Sequence, residues 1–143
     1  MLSQKCKYAI RAVLLLSLEQ RNDKLMGARE IATALKMPFA FTGKILQELV
    51  KKGIISSTKG PKGGFYLSKQ DLNHPLIRIV EAIDDISFFN SCGLGLSECS
   101  EEHPCPVHDT FKIARDNLLT LFKTKLIKDL SDEILRNKLS LVR

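Results

Sequence analysis

The stretch CGLGLSECSEEHPCPVH, residues 92–108, places three cysteines and two histidines within seventeen residues. Thiolates and imidazoles bind soft and borderline metals, and thiols can also pair or oxidise. Cys92, Cys99, Cys105 and His108, with His103 as a spare, therefore have four possible uses. They can form a disulfide staple, hold zinc as Cys3His, hold an iron–sulfur cluster, or stand as free thiols, a thiol switch included. Structural zinc sites commonly show a tight knuckle of two cysteines two to four residues apart, and this stretch has none. Cluster iron takes thiolates, and a histidine in place of one cysteine makes the site less anionic and raises its potential. Cys105 stands just before Pro106, where a long helix is expected to begin. The unpaired N–H groups and positive dipole end of such a helix favour a thiolate. Pro104 and Pro106 stiffen the chain on both sides of it.

The bulk of the chain narrows these uses. At 143 residues it makes one domain, or a small domain with an appendage, able to bury a core without staples. Its longest apolar stretch, AVLLLSL at 12–18, is too short to span a bilayer and is flanked by Arg11 and Glu19. No charged-then-apolar leader is visible, so a cytoplasmic protein with reduced thiols is expected. The disulfide is then the weakest of the four uses.

The charge is lopsided. Residues 1–80 carry 14 Lys and Arg against 5 Asp and Glu, whereas residues 81–143 carry 8 against 11. Between Met37 and Lys69 the only acid is Glu48. A basic excess confined to one half is the footprint expected for a polyanion.

The elements that must position these residues follow from hydrophobic spacing. Residues 4–19 predict an apolar-rich helix, and AREIATAL at 28–35 a short one burying Ile31, Ala32 and Leu35. Pro38 suits the first turn of a third helix running to about Lys52. Its apolar positions Thr42, Ile45, Leu46, Leu49 and Val50 recur at spacings of three and four, and Gly53 stops it. Two short helices joined by a tight turn, the second basic outside, read as a helix-turn-helix over about 28–52. IISSTK at 54–59 and GFYLS at 64–68 are β-prone runs around the turn GPKG. This hairpin makes a wing over 54–68 with Lys59 and Lys62 at its tip, within reach of a phosphate or a minor groove.

Leu76, Ile77, Val80 and Ile83 predict a fourth helix from Asn73 to about Asp84. From Pro106 to about Leu130 a long helix aligns Phe111, Ala114, Leu118, Leu121 and Phe122 in one stripe. A helix that long outgrows so small a domain, so the stripe is expected to pack on a second copy; the alternative is that it lies across its own winged domain. Residues 131–139 predict a terminal helix capped by Ser131. The expected fold is mainly α with a small β-hairpin wing. Its parts are a winged helix-turn-helix domain at 1–84, a cysteine-rich loop at 85–108, and dimerisation and terminal helices at 106–143. The DNA face is expected to carry Ala40, Gly43, Lys44, Gln47, Lys59 and Lys62. No phosphate loop, Cys-x-x-Cys or paired-carboxylate site is present, so an enzyme is not expected, nor a small-molecule substrate or a membrane partner. A protein-interaction scaffold built on a winged helix is the rival class, and it has no need of a basic wing.

YAIRAVLLLS at 8–17, REIATAL at 29–35, KILQELVKKGIISSTKGPKGGFYLS at 44–68 and IVEAID at 79–84 resemble a family. It is that of the winged-helix regulators typified by the iron–sulfur cluster regulator and the nitric-oxide-sensitive repressor. The resemblance covers about residues 2–130, and GPKGGFYL and the three-cysteine loop are its most specific parts. It implies a homodimeric bacterial transcription factor binding a double-stranded operator, often with a [2Fe–2S] cluster on the loop before the dimerisation helix. Cys92, Cys99, Cys105 and His108 match the three thiolates and the histidine that ligate the cluster in the iron–sulfur cluster regulator. The first cysteine gap is one residue longer than in that regulator. Lys7 stands where the nitric-oxide-sensitive branch has an acidic fourth ligand, with Cys6 beside it as buried filler or alternative ligand. Gly43 stands where relatives often have an acid, which implies a different operator preference.

Overall fold

The computed structural model describes residues 1–143 and is mainly α, with one two-stranded hairpin. Helix α1, Gln4–Glu19, starts at Ser3, whose hydroxyl accepts the Cys6 N–H at 3.0 Å. Its buried face, Cys6, Ala9, Ala12, Val13 and Leu16, recurs at spacings of three and four. That face packs against α2 (Ala28–Leu35), α3 (Phe39–Lys51), α4 (Leu76–Ile83) and α6 (Ile127–Asn137). Arg11, partway along α1, donates to the Leu35 and Leu141 carbonyls, tying the end of α2 and the chain terminus together.

Helix α2 ends at Lys36 in the left-handed conformation, φ 52°, and this sharp reversal sends the chain into α3. Pro38 lies at the N-cap of α3 in extended conformation, one position before the first turn expected for it. Thr42, Ile45, Leu46 and Leu49 of α3 are buried as their spacing requires. Strand β1 (Ser56–Thr58) then pairs antiparallel with β2 (Gly64–Tyr66), Ser57 opposite Phe65. Met26 exchanges two backbone hydrogen bonds with Phe65, 3.0 and 2.8 Å, which anchors the hairpin beside the entrance to α2. A Cβ at Gly64 would lie 2.8 Å from the Met26 carbonyl oxygen, so only glycine admits this approach. A Cβ at Gly63 would lie 2.1 Å from the Thr58 carbonyl oxygen, so the glycine pair of GPKGG is structural.

Three expectations from the sequence need correcting. The fourth helix is shorter than Asn73–Asp84: a 3-10 turn, Asp71–Asn73, precedes extended Pro75, and α4 begins at Leu76. Proline disfavours helical conformation in the residue before it, which excludes His74. The long helix is split. Helix α5 spans His108–Thr124, and Lys125 is extended. Leu76 N–H donates to the Lys125 carbonyl and Ile127 N–H to the His74 carbonyl, so pairing with the α4 entrance replaces the missing helical bonds. Helix α6 starts at Ile127 with the Asp129 carboxylate accepting the Leu126 N–H. Ser131 is therefore not a cap but a buried residue within α6.

One cluster of 24 buried residues runs from Cys6 to Phe122 and Ile127. The carboxy-terminal helices thus complete the core of the winged unit.

Candidate metal centre and nucleic-acid interface

The cysteine loop is pinned at both ends. A 3-10 turn, Ile86–Phe89, buries Phe89, whose ring meets Phe122 of α5 at a centroid distance of 5.7 Å. At the far end His108 opens α5, its N–H bonded to the Cys105 carbonyl at 2.9 Å. Cys92 and His108 are buried and Cys99 and Cys105 half-buried, while His103 is exposed. All four cysteines are free thiols.

The ligand candidates meet in two pairs. Cys92 Sγ lies 3.8 Å from Cys105 Sγ, and Cys99 Sγ lies 3.5 Å from His108 Nδ1. The spacing Cys-x-x-His would join Cys105 with His108 on one helical turn. The structure instead starts the helix at His108 and turns Cys105 toward Cys92. On a tetrahedral metal with bonds of about 2.3 Å to sulfur and 2.0 Å to nitrogen, two sulfurs sit about 3.8 Å apart and a sulfur and nitrogen about 3.5 Å. Each pair therefore has the bite of one metal ion. No three His, Cys, Asp or Glu side chains surround a common point. A two-iron cluster takes two protein ligands per iron, so two such pairs match its donor set. The backbone N–H groups of Leu94 and Leu96 point at Cys92 and hold its thiol below the ordinary range, the Leu94 bond measuring 3.4 Å. A thiol held low gives up its proton to a metal more readily.

Cys6 belongs to neither pair. It is fully buried in α1, and burial, helped by the nearby Asp84 carboxylate, pushes its thiol up to about 12. It is core filler in this fold.

The DNA-face candidates lie on α3 and at the wing tip. Ala40, Lys44 and Gln47 are exposed on α3, Gly43 is half-exposed, and Lys59 and Lys62 are exposed at the wing tip. Nothing lies within 4 Å of a Cβ built at Gly43, so the missing side chain leaves open space on the helix surface. Glu48, the only acid of this region, is engaged by Lys5 at 2.5 Å, which leaves the face basic. A pair missed from the sequence stands at the front of α3. Exposed Phe39 lies under the Arg29 guanidinium of α2, 4.2 Å from ring centroid to cation. Its only sequence signal is FAF at a helix start, where apolar residues outside the buried spacing have no core to enter.

The stripe on α5 divides. Phe122 is buried on the chain's own core, Leu118 packs against it, and Phe111 lies on the cysteine loop. Ala114 and Leu121 face outward beside exposed Ile113, Asn117 and Thr120, a face of the helix without charge. Part of the stripe thus lies across its own domain, and no helix of the chain is long and apolar enough to cross a membrane.

Comparison with known proteins agrees with this architecture. Residues 2–133 match the family described as Rrf2, iron-dependent transcriptional regulator. A regulator of the helix-turn-helix type from Aquifex aeolicus is 35% identical over 130 residues, covering 90% of this chain and 89% of the relative. The regulator IscR of Pectobacterium atrosepticum is 23% identical over 137 residues, 96% of this chain and 80% of the relative. Among solved structures, CymR, titled the global cysteine regulator of B. subtilis, superposes with a TM-score of 0.71 at 17% identity over 93% of this chain and 97% of its own. IscR of T. potens superposes with 0.70 at 13% identity, over 98% and 92%. With a winged helix, a basic face and a matching family over nearly the whole length, the chain belongs to the Rrf2 family of DNA-binding transcriptional regulators and is not an enzyme.

Proposed function

We propose that this chain is a cytoplasmic, homodimeric regulator whose operator binding responds to a [2Fe–2S] cluster held by Cys92, Cys99, Cys105 and His108. The observation that carries the reading is the pairing: 3.8 Å for Cys92 with Cys105 and 3.5 Å for Cys99 with His108, each with the bite of one metal ion. Bound there, such a cluster supplies one-electron redox chemistry and a target for oxidants and nitric oxide. The chain's own residues do the rest. Lys44, Gln47 and Ala40 of α3, with Gly43 leaving room between them, enter the major groove, and Lys59 and Lys62 hold phosphates from the wing. The uncharged face of α5 around Ile113, Ala114 and Leu121 meets a second copy and sets the spacing of two half-sites. Because the loop is bolted between α4 and α5, a change in its occupancy reaches both. A coupling of about 1–3 kcal/mol would alter operator affinity by roughly 5- to 150-fold.

The experiment is the absorbance spectrum with iron and sulfide content of anaerobically purified protein. Two irons and two sulfides per chain, with visible bands, are expected. Iron-free protein whose DNA binding changes reversibly with a thiol oxidant would support a second reading, a metal-free switch. The observation favouring it is the same Cys92–Cys105 approach beside a thiol held low by the loop N–H groups. Stoichiometric zinc would make the site structural.

A further inference from the structure

Helix α5 grips the loop on both sides of Cys92. Arg115 NH1 donates to the Ser91 carbonyl at 2.7 Å, and the Phe111 ring lies so close to Gly93 that a Cβ there would meet it at 2.7 Å. Residues 111 and 115 are one turn apart on the same face of α5, so one rigid element holds the residues before and after a ligand. The guanidinium is unusual in its setting. Arg115 is only 8% exposed, its Nε is buried without a hydrogen bond, and the Asp116 carboxylate oxygen is 3.7 Å away, too far to supply one. A buried cation so incompletely paired is costly unless a negative charge completes its surroundings. Three thiolates around a cluster provide one.

We infer that Arg115, with Phe111, is the positioning residue of the metal loop: it fixes Cys92 for ligation, favours an anionic occupant, and ties the state of the loop to α5. This rests on the cluster reading above for the occupant, but the grip itself belongs to the chain without metal. Loss of the grip frees Cys92, and gain of a negative charge in the loop tightens it.

The test begins with metal-free protein. Reduced wild type, Arg115→Met, Arg115→Lys and Gly93→Ala are exposed to iodoacetamide, and alkylation of each cysteine is followed by mass spectrometry. Arg115→Met should speed Cys92 at least 10-fold while Cys99 and Cys105 change less than 2-fold, and Arg115→Lys should recover part of the protection. Gly93→Ala keeps Arg115 but displaces the Phe111 ring, and should also expose Cys92; it carries the test if Arg115→Met does not fold. In reconstituted protein, Arg115→Met should shift the reduction potential downward, because removing a cation disfavours the added electron, and Arg115→Lys should restore it. An unchanged Cys92 rate in folded variants, or equal acceleration of all three loop cysteines, overturns the inference. Failure of wild type to bind any cluster while the alkylation pattern holds overturns the cluster reading and leaves the grip standing.

Discussion

His108 Nδ1 faces Cys99 Sγ at 3.5 Å, although eight residues, the two prolines of HPCP among them, lie between Cys99 and the first residue of α5. His108 is buried, so its ring is held by the helix and not by solvent. A ligand on a rigid helix start needs only the loop to come to it.

The ligand set is tested by replacement. In reconstituted protein His108→Cys should keep a cluster at lower potential, since a thiolate adds negative charge, and His108→Ala should leave it labile. Cys6→Ala should change neither property, because Cys6 is fully buried in the α1 core. Visible absorbance and voltammetry read both. A cluster lost with Cys6→Ala and kept with His108→Ala would move the fourth ligand to helix α1.

Lys59 is exposed at the tip of the hairpin. If it holds a phosphate, Lys59→Ala should weaken binding to every duplex about equally. The slope of log affinity against log salt should flatten by about 0.9, one counterion fewer released. Titration of selected and random duplexes at several salt concentrations measures this. An unchanged slope removes the wing from the footprint.

How much was legible beforehand depended on how local each determinant is. The helix-turn-helix and the wing could be read because Ile31, Leu35, Ile45, Leu46 and Leu49 repeat at helical spacing and GPKGG is a turn signal in itself. The split between α5 and α6 could not, because it depends on the Lys125 carbonyl accepting from Leu76 and the Ile127 N–H donating to His74, fifty positions away. Likewise the four metal-ligating candidates were visible as residue types, but their pairing follows the path of the loop. Spacing favoured Cys105 with His108, whereas the turn ahead of α5 delivers Cys105 to Cys92. Arg115 was invisible for the same reason: a lone basic residue in a helix says nothing of the Ser91 carbonyl it reaches.

The division of the α5 stripe changes which residue should test assembly. Leu118 packs against the chain's own core, so Leu118→Asp would damage the fold as well as any interface. Ile113 and Leu121 are 65% and 45% exposed, so a charge there costs a lone chain little. Leu121→Asp and Ile113→Asp should each convert dimer to monomer in sedimentation while leaving thermal unfolding of the monomer unit nearly unchanged. Wild type already monomeric at micromolar concentration would end the dimer proposal for this face.

Cys6 gives the stability of the chain an alkaline edge. Its thiol is held up near 12 in the fold, first by burial and then by the negative Asp84 nearby, whereas the unfolded chain titrates near 9.0. The folded state therefore keeps a proton that the unfolded state releases. The contribution is fully present below about pH 9 and is lost progressively as pH rises toward 12, at up to about 1.4 kcal/mol per pH unit from this one group. Cys6→Ala lacks the titration, so its stability curve should fall less steeply above pH 9, from a starting point lowered by about 1 kcal/mol for the small void left in α1. Urea unfolding of both proteins from pH 7.5 to 10.5 measures the gap between them, which should narrow across that range. A gap that stays constant would mean that Cys6 ionises as readily in the fold as out of it.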